Sequence, residues 1–179
     1  SNSIHEIKNT KLLTQKYSES LNAKYYYSNK GGPSPARNIG VKKSKYNHII
    51  FIDDDTIVQK GFINNYEKTW LKSGNCKIIG GKVIPVSKLP IPSFVNKEFM
   101  WVFALNDLGN KCIELKYPQL LFTANISIYL TKLERNKKLF NEILGKRYLY
   151  NYVLFGEDVE LCYRYQLENA KIKGMVDQK

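Results

Sequence analysis

Three consecutive carboxylates, Asp53, Asp54 and Asp55, follow the apolar run "HIIFI" at residues 48–52. In extended backbone Asp53 and Asp55 lie one strand repeat apart and point the same way, while Asp54 points to the other face. Two ionised carboxylates ~6 Å apart repel by roughly 3 kcal/mol at an effective dielectric of ~20. A divalent cation, which prefers hard oxygen ligands, is the usual offset. A solvated acidic turn after a strand is the plain alternative. A second acidic pair, Glu157 and Asp158, follows Gly156 at the start of a predicted helix. The helix dipole favours an anionic side chain there by about 0.3–1 kcal/mol, and a carboxylate kept ionised can accept a proton. Acidic first turns are also common in helices with no chemical task. Glu160, two residues on, faces another side of the helix and reads as a surface charge. A third feature is "NKGGPSPARN": Gly31 and Gly32 permit close backbone approach, and Arg37 offers a planar fork suited to phosphate oxygens. It is neither a P-loop nor a GxGxxG fingerprint.

The elements that must position these residues alternate between helix and strand. "IHEIKNTKLLTQKYSESL" places Ile4, Ile7, Leu13, Tyr17 and Leu21 near helical spacing. "AKYYYSN" is a short strand candidate with β-favouring tyrosines, and "ARNIGVKKSK" beyond the Gly/Pro loop is helix-compatible. "NHIIFID" reads as a fully buried strand, the kind found in parallel sheets, central and ending at Ile52. "FINNYEKTWLKSG" carries Phe62, Tyr66 and Trp70 at i, i+4 and i+8, with Gly74 as a helix stop. "CKIIGGKVIPV" is a strand interrupted by Gly80 and Gly81. A loop-rich section, a short helix at "KEFMWVFAL" and the segment "LLFTANISIYL" follow. The last helix begins at "GEDVELCYRYQLENA" and runs to a stop at Gly174. Such alternation predicts an α/β domain with a mostly parallel central sheet flanked by helices. Ligands of open α/β sheets gather at the carboxyl ends of the strands, where Asp53–Asp55 sit.

The chain's 179 residues suffice for one domain, and its 43% apolar and 25% charged content is ordinary for a globular protein. No apolar run approaches the ~20 residues that span a bilayer. The N-terminus has no signal-peptide core, and Ser1 is not an initiator Met, which suggests an upstream segment. Cys76, Cys112 and Cys162 are widely spaced with no CxxC, a pattern that speaks against a disulfide framework or zinc site and suits a reducing compartment. The net charge of +12 fits nucleic acid, an anionic lipid surface or an acidic substrate. However, the lysines are dispersed among Asn, Ile and Tyr, as the codon bias of an AT-rich genome would also write. The densest basic stretches, "KKSK" and "KLERNKK", read as solvated helix faces.

Taken in order, the motifs become specific. "GPSPARNIGVKKSKYNHIIFIDDDT", "FTANISIYLTKLE" followed by "LFNE", and "GEDVELCYR" resemble the successive blocks of family 2 glycosyltransferases of the GT-A fold, over roughly residues 25–172. The resemblance implies one partial catalytic domain over residues 1–179. Its activity would be inverting transfer of a sugar from a nucleotide-diphosphate sugar to an acceptor hydroxyl, in bacterial surface glycan or polysaccharide synthesis. It implies Mg²⁺ or Mn²⁺ held at a DxD-type motif, with Asp55 the metal ligand and Asp53 on the ribose or on metal-bound water. Asp158 maps to the general base beside Glu157. Arg37 and Asn38 map to the nucleotide side, and Asn125 to the donor sugar or diphosphate. The implied partners are the sugar donor and a carbohydrate or lipid-linked acceptor, with no nucleic acid. The implied location is the cytoplasm, with peripheral association at the inner face of the membrane.

The sequence also departs from the family pattern. Thr123 stands where members usually have Gly, and no His follows the "ED" helix, since His5 and His48 are the only two. The family's first two strands would precede residue 1, so the chain reads as trimmed at both ends with an incomplete nucleotide pocket. Binding without turnover is one consequence. Two other classes compete. A haloacid dehalogenase-like phosphatase also places carboxylates after an apolar strand, but its motif needs Thr or Val where this chain has Ile57. A non-catalytic basic domain would need an aromatic-interleaved basic patch, which is not evident.

Overall fold

The computed structural model describes residues 4–86, 95–96, 100, 105–109, 112–144 and 156–175. The helix expected at "KEFMWVFAL" falls almost wholly outside them. Helices α1 (Ile4–Lys16) and α2 (Ser18–Leu21) open the chain, followed by α3 (Pro33–Lys43), β1 (His48–Phe51), α4 (Phe62–Lys72) and β2 (Cys76–Gly80). Then come β3 (Ile113–Glu114), a 3₁₀ turn (Thr123–Asn125), β4 (Ile126–Tyr129), α5 (Lys132–Arg135), α6 (Glu157–Leu167) and β5 (Lys171–Gly174).

The five strands form one sheet in the order β1-β4-β2-β5-β3. Among the described residues only β2 and β5 pair in parallel; β1–β4, β2–β4 and β3–β5 are antiparallel. The sheet is therefore mixed, not mostly parallel as the helix–strand alternation suggests. The reason is topological. β1, β2 and β5 do run in one direction, but β4 inserts between β1 and β2 and runs against both. β1 is the terminal strand among the described residues rather than a central one. Its burial agrees: His48 is exposed and Ile49, Ile50 and Phe51 are half-buried, whereas Ile78, Ile79, Ile126 and Ile128 in β2 and β4 are fully buried.

Strand alternation sends successive side chains to opposite faces, and both faces are covered. Ile78, Ile126, Ile128 and Ile172 pack with Val41 of α3 and Leu161, Cys162 and Tyr165 of α6. Ile79 and Ile50 face the other way, onto Phe62, Tyr66 and Trp70 of α4. The i, i+4, i+8 stripe of α4 is thus its sheet-facing side, and Gly74, at φ +56°, follows its end. Each fully buried isoleucine contributes roughly 1.5–3 kcal/mol. The layering places α3 and α6 on the same face, which decides where Arg37 and Glu157 meet.

Two further expectations fail. "AKYYYSN" forms no strand, and Tyr26 and Tyr27 are exposed. The last helix ends at Leu167, not Gly174: Asn169 turns left-handed at φ +57°, the Ala170 amide closes onto the Tyr165 carbonyl, and β5 follows. Asn tolerates that backbone better than other side-chain-bearing residues, and Ile172 then pairs with Ile78. Among the described residues no helix is long and apolar enough to cross a membrane.

Candidate functional site

Register gathers the candidate residues at one end of the sheet. Phe51 of β1 and Gly80 of β2 both stand opposite Ile126, the first residue of β4. The residues after β1, those after β2 and the turn before β4 therefore share one edge. The α6 N-terminus lies there too, because α6 returns the chain toward β5, which runs parallel to β2.

Beyond Phe51 the ladder has no further partner among the described residues, and the chain turns. The Thr56 amide donates to the Asp53 carbonyl at 3.1 Å, so Asp54 and Asp55 sit inside a turn. The extended spacing that would set Asp53 and Asp55 side by side does not exist here, because a run of Asp favours the turn that its side chains support. Asp53 is half-buried, whereas Asp54 and Asp55 are exposed. Asp55 makes no hydrogen bond or ion pair with the described residues.

Arg37, one turn into α3, joins two of the acidic features. Its Nη1 donates to Oε1 of Glu157 at 2.5 Å and its Nη2 to Oδ1 of Asp53 at 3.0 Å. The guanidinium carbon stands 5.6 Å from the centre of the Phe140 ring. Side-chain exposure falls from 38% at Asp53 to 15% at Arg37 and 11% at Glu157, so the Glu157 half of the bridge is the better shielded. Weakly hydrated and planar, a guanidinium suits this double contact better than an ammonium would.

Asp158 lies beside this bridge. Burial raises its carboxyl above the usual range, and the charge of Glu157 adds to the effect. Its Oδ1 accepts from the Val159 amide at 2.8 Å and its Oδ2 from the Thr123 amide at 3.4 Å, across from the 3₁₀ turn. The result is an oriented carboxylate with a raised proton affinity, one residue from a shielded ion pair. Such perturbation is frequent at functional sites.

Asn38 and Asn125 are engaged with protein. Asn38 Oδ1 accepts from the amides of Leu139 and Phe140, at 3.0 and 2.8 Å, and its Nδ2 donates to the Phe140 carbonyl at 2.9 Å. It thereby holds the segment that carries the Phe140 ring against Arg37. Asn125 Oδ1 accepts from the Tyr66 hydroxyl at 2.7 Å, and its Nδ2 donates to the Lys82 carbonyl at 3.0 Å. A Cβ on Gly81 would land on the Asn125 carboxamide, which accounts for a glycine there. The structure thus brings Arg37, Asp53, Glu157 and Asp158 together, with Asn38 bracing the segment beside Arg37, Asn125 bound to Tyr66 and Lys82 at the same sheet end, and Asp55 in the open turn. Glu160 pairs with Arg164 at 2.7 Å on the same helix, as a surface charge would.

Among the described residues no group of three or more His, Cys, Asp or Glu side chains converges. A cation at Asp55 would therefore draw its remaining ligands from phosphate oxygens and water, some of that water reaching Asp53. That donor set, one or two carboxylates plus substrate phosphate, is the one Mg²⁺ commonly takes. Tyr66 is a site-supporting residue that sequence periodicity registers only as an apolar stripe position. The available signal was chemical, since a buried Tyr hydroxyl usually finds a partner.

Comparison with known proteins agrees with this architecture. The family model "Glycosyl transferase family 2" matches residues 7–84, which include Arg37, Asn38, Asp53 and Asp55 but not Asn125, Glu157 or Asp158. A similar curated protein is the poly(ribitol-phosphate) beta-N-acetylglucosaminyltransferase TarS of Staphylococcus aureus (strain Mu50), 22% identical over 171 residues. That match covers 86% of this chain and 30% of the relative's length. No solved structure matches the chain significantly. Over residues 7–84, then, the chain is similar to glycosyl transferase family 2, and its α/β fold, a mixed sheet flanked by helices, is GT-A-like.

Proposed function

We propose that this chain transfers a sugar from a nucleotide-diphosphate sugar to an acceptor hydroxyl, with inversion at the anomeric carbon. The family match supports nucleotide-sugar transfer in general. The observation that carries the finer proposal is Asp158: an oriented carboxylate with raised proton affinity, at the sheet end that also bears Asp53 and Asp55. In a single displacement the acceptor oxygen bonds to the anomeric carbon as the bond to the diphosphate breaks, and Asp158 takes the hydroxyl proton. A positioned base of this kind is typically worth ~10²–10⁴-fold in rate.

Asp55 would hold Mg²⁺ or Mn²⁺, with Asp53 on the ribose or on metal-bound water, and the ion would supply Lewis-acid neutralisation of the departing diphosphate. The acceptor is a carbohydrate or lipid-linked hydroxyl in bacterial surface glycan synthesis. A net charge of +12 fits an anionic acceptor, and the Staphylococcus aureus relative is named for an anionic polymer, poly(ribitol-phosphate). Work at the inner face of the membrane follows from a lipid-linked acceptor.

The test is Asp53→Asn and Asp55→Asn, made separately. Each should abolish metal-dependent transfer with little loss of stability, because exposed or half-exposed ion pairs are worth about 1 kcal/mol or less. Full turnover in both variants would contradict the metal assignment.

A further inference from the structure

Arg37 has a geometry that a nucleotide ligand does not require. Its two terminal nitrogens are spent on carboxylates from two other elements, Asp53 after β1 and Glu157 at the start of α6. Its guanidinium carbon stands over the Phe140 ring, on a segment whose backbone is held by Asn38 from the same helix, α3. The chain separation is wide: Arg37 is 16 residues from Asp53 and 120 from Glu157. Glu157 is buried at the N-terminus of α6 and has no cation on it other than Arg37 among the described residues.

From this arrangement we infer that Arg37 is a positioning residue, an electrostatic clamp that locks the acidic end of β1 to the start of α6 and so fixes Asp158. This rests on the transferase proposal for its kinetic consequence but not for its structural one. A buried acid beside Asp158 would otherwise raise the proton affinity of the base without limit from a counter-charge. Arg37 supplies that counter-charge while holding the helix start in register with β1. The groups around Asp158 are Glu157 beside it, the Val159 amide, Cys162 one turn along α6 and the Thr123 amide from the 3₁₀ turn, and Arg37 is paired with Glu157. As a base, Asp158 must be deprotonated, so activity should rise with pH through its titration. Removing the Arg37 cation leaves Glu157 uncompensated and moves that rise to higher pH. Removing the Glu157 charge moves it to lower pH.

The experiment compares Arg37→Gln, Arg37→Lys, Glu157→Gln and the double variant Arg37→Gln/Glu157→Gln in two measurements. In thermal unfolding, the double variant should melt no lower than Arg37→Gln alone, because the two residues act as a unit. Strictly additive losses would overturn the clamp. In steady-state kinetics with the preferred nucleotide-sugar donor, Arg37→Gln should lower kcat at least tenfold and leave the donor KM within about threefold. Its acid limb should shift to higher pH, and that of Glu157→Gln to lower pH. Arg37→Lys, which keeps the charge but not the fork, should restore the pH limb and only part of kcat. A raised donor KM with an unmoved pH limb would show Arg37 to be a nucleotide ligand and overturn the inference. If no donor is turned over by the unaltered protein, the transferase proposal fails, and the unfolding cycle alone decides the clamp. Should Arg37→Gln not fold, Glu157→Gln and Arg37→Lys still carry the kinetic measurement, and Arg37→Lys with Arg37→Lys/Glu157→Gln carries the unfolding one.

Discussion

Asn38 spends its carboxamide on a chain segment about a hundred residues away, taking the Leu139 and Phe140 amides and giving to the Phe140 carbonyl. Those bonds hold the Phe140 ring, and through it the face of Arg37. Asn38→Leu keeps similar bulk but strands two amides and a carbonyl in a half-buried setting. With ~1–3 kcal/mol for each polar group left unsatisfied, and water reaching some of them, a loss of about 2–3 kcal/mol is expected. Denaturant unfolding monitored on purified protein checks it, and a loss under about 0.5 kcal/mol would show the clip to be dispensable. The identity of the acidic and basic residues at the site was visible in the sequence: Arg37, Asp53, Glu157 and Asp158 all stand out by type and neighbourhood. Their partners were not. A carboxamide can bond to any backbone within reach, and nothing local to "ARN" points to residues 139–140.

Elements set the next level of precision. Tyr66 on α4, Gly81 after β2 and Asn125 before β4 form one contact in which hydroxyl, missing Cβ and carboxamide fit each other. Tyr66→Phe removes the hydroxyl's bond to Asn125 and should cost about 1 kcal/mol, since it strands one side of a buried carboxamide. Gly81→Ala should cost more, because the new methyl meets the Asn125 side chain and must displace it. Chemical denaturation of the two variants side by side gives the order, and a Gly81→Ala protein as stable as the unaltered one would mean that Asn125 moves freely. The α4 helix was legible because Phe62, Tyr66 and Trp70 repeat at helical spacing, a local signal. Strand neighbours were not legible in the same way. β1, β2 and β5 do share a direction, as alternating helices and strands imply, but β4 enters between β1 and β2 by a long-range pairing that no local pattern encodes. The same limit explains the failed strand at "AKYYYSN", where β-favouring tyrosines have no partner strand among the described residues.

At the scale of the whole molecule, one sheet end collects the turn after β1, the turn before β4 and the α6 N-terminus, while the two layers of helices hold that end in place. On the reading proposed above, this end transfers a sugar from a nucleotide-diphosphate sugar with Asp158 as base. The most direct measurement is release of nucleoside diphosphate from a panel of nucleotide sugars in the presence of Mn²⁺, by the unaltered protein and by Asp158→Asn. The variant preserves shape and the position at the helix start but cannot accept the proton. One donor should be turned over, chelation should stop it, and Asp158→Asn should lower kcat by ~10²-fold or more with donor affinity nearly unchanged. Equal turnover by the two proteins, or no release from any donor, would contradict the account.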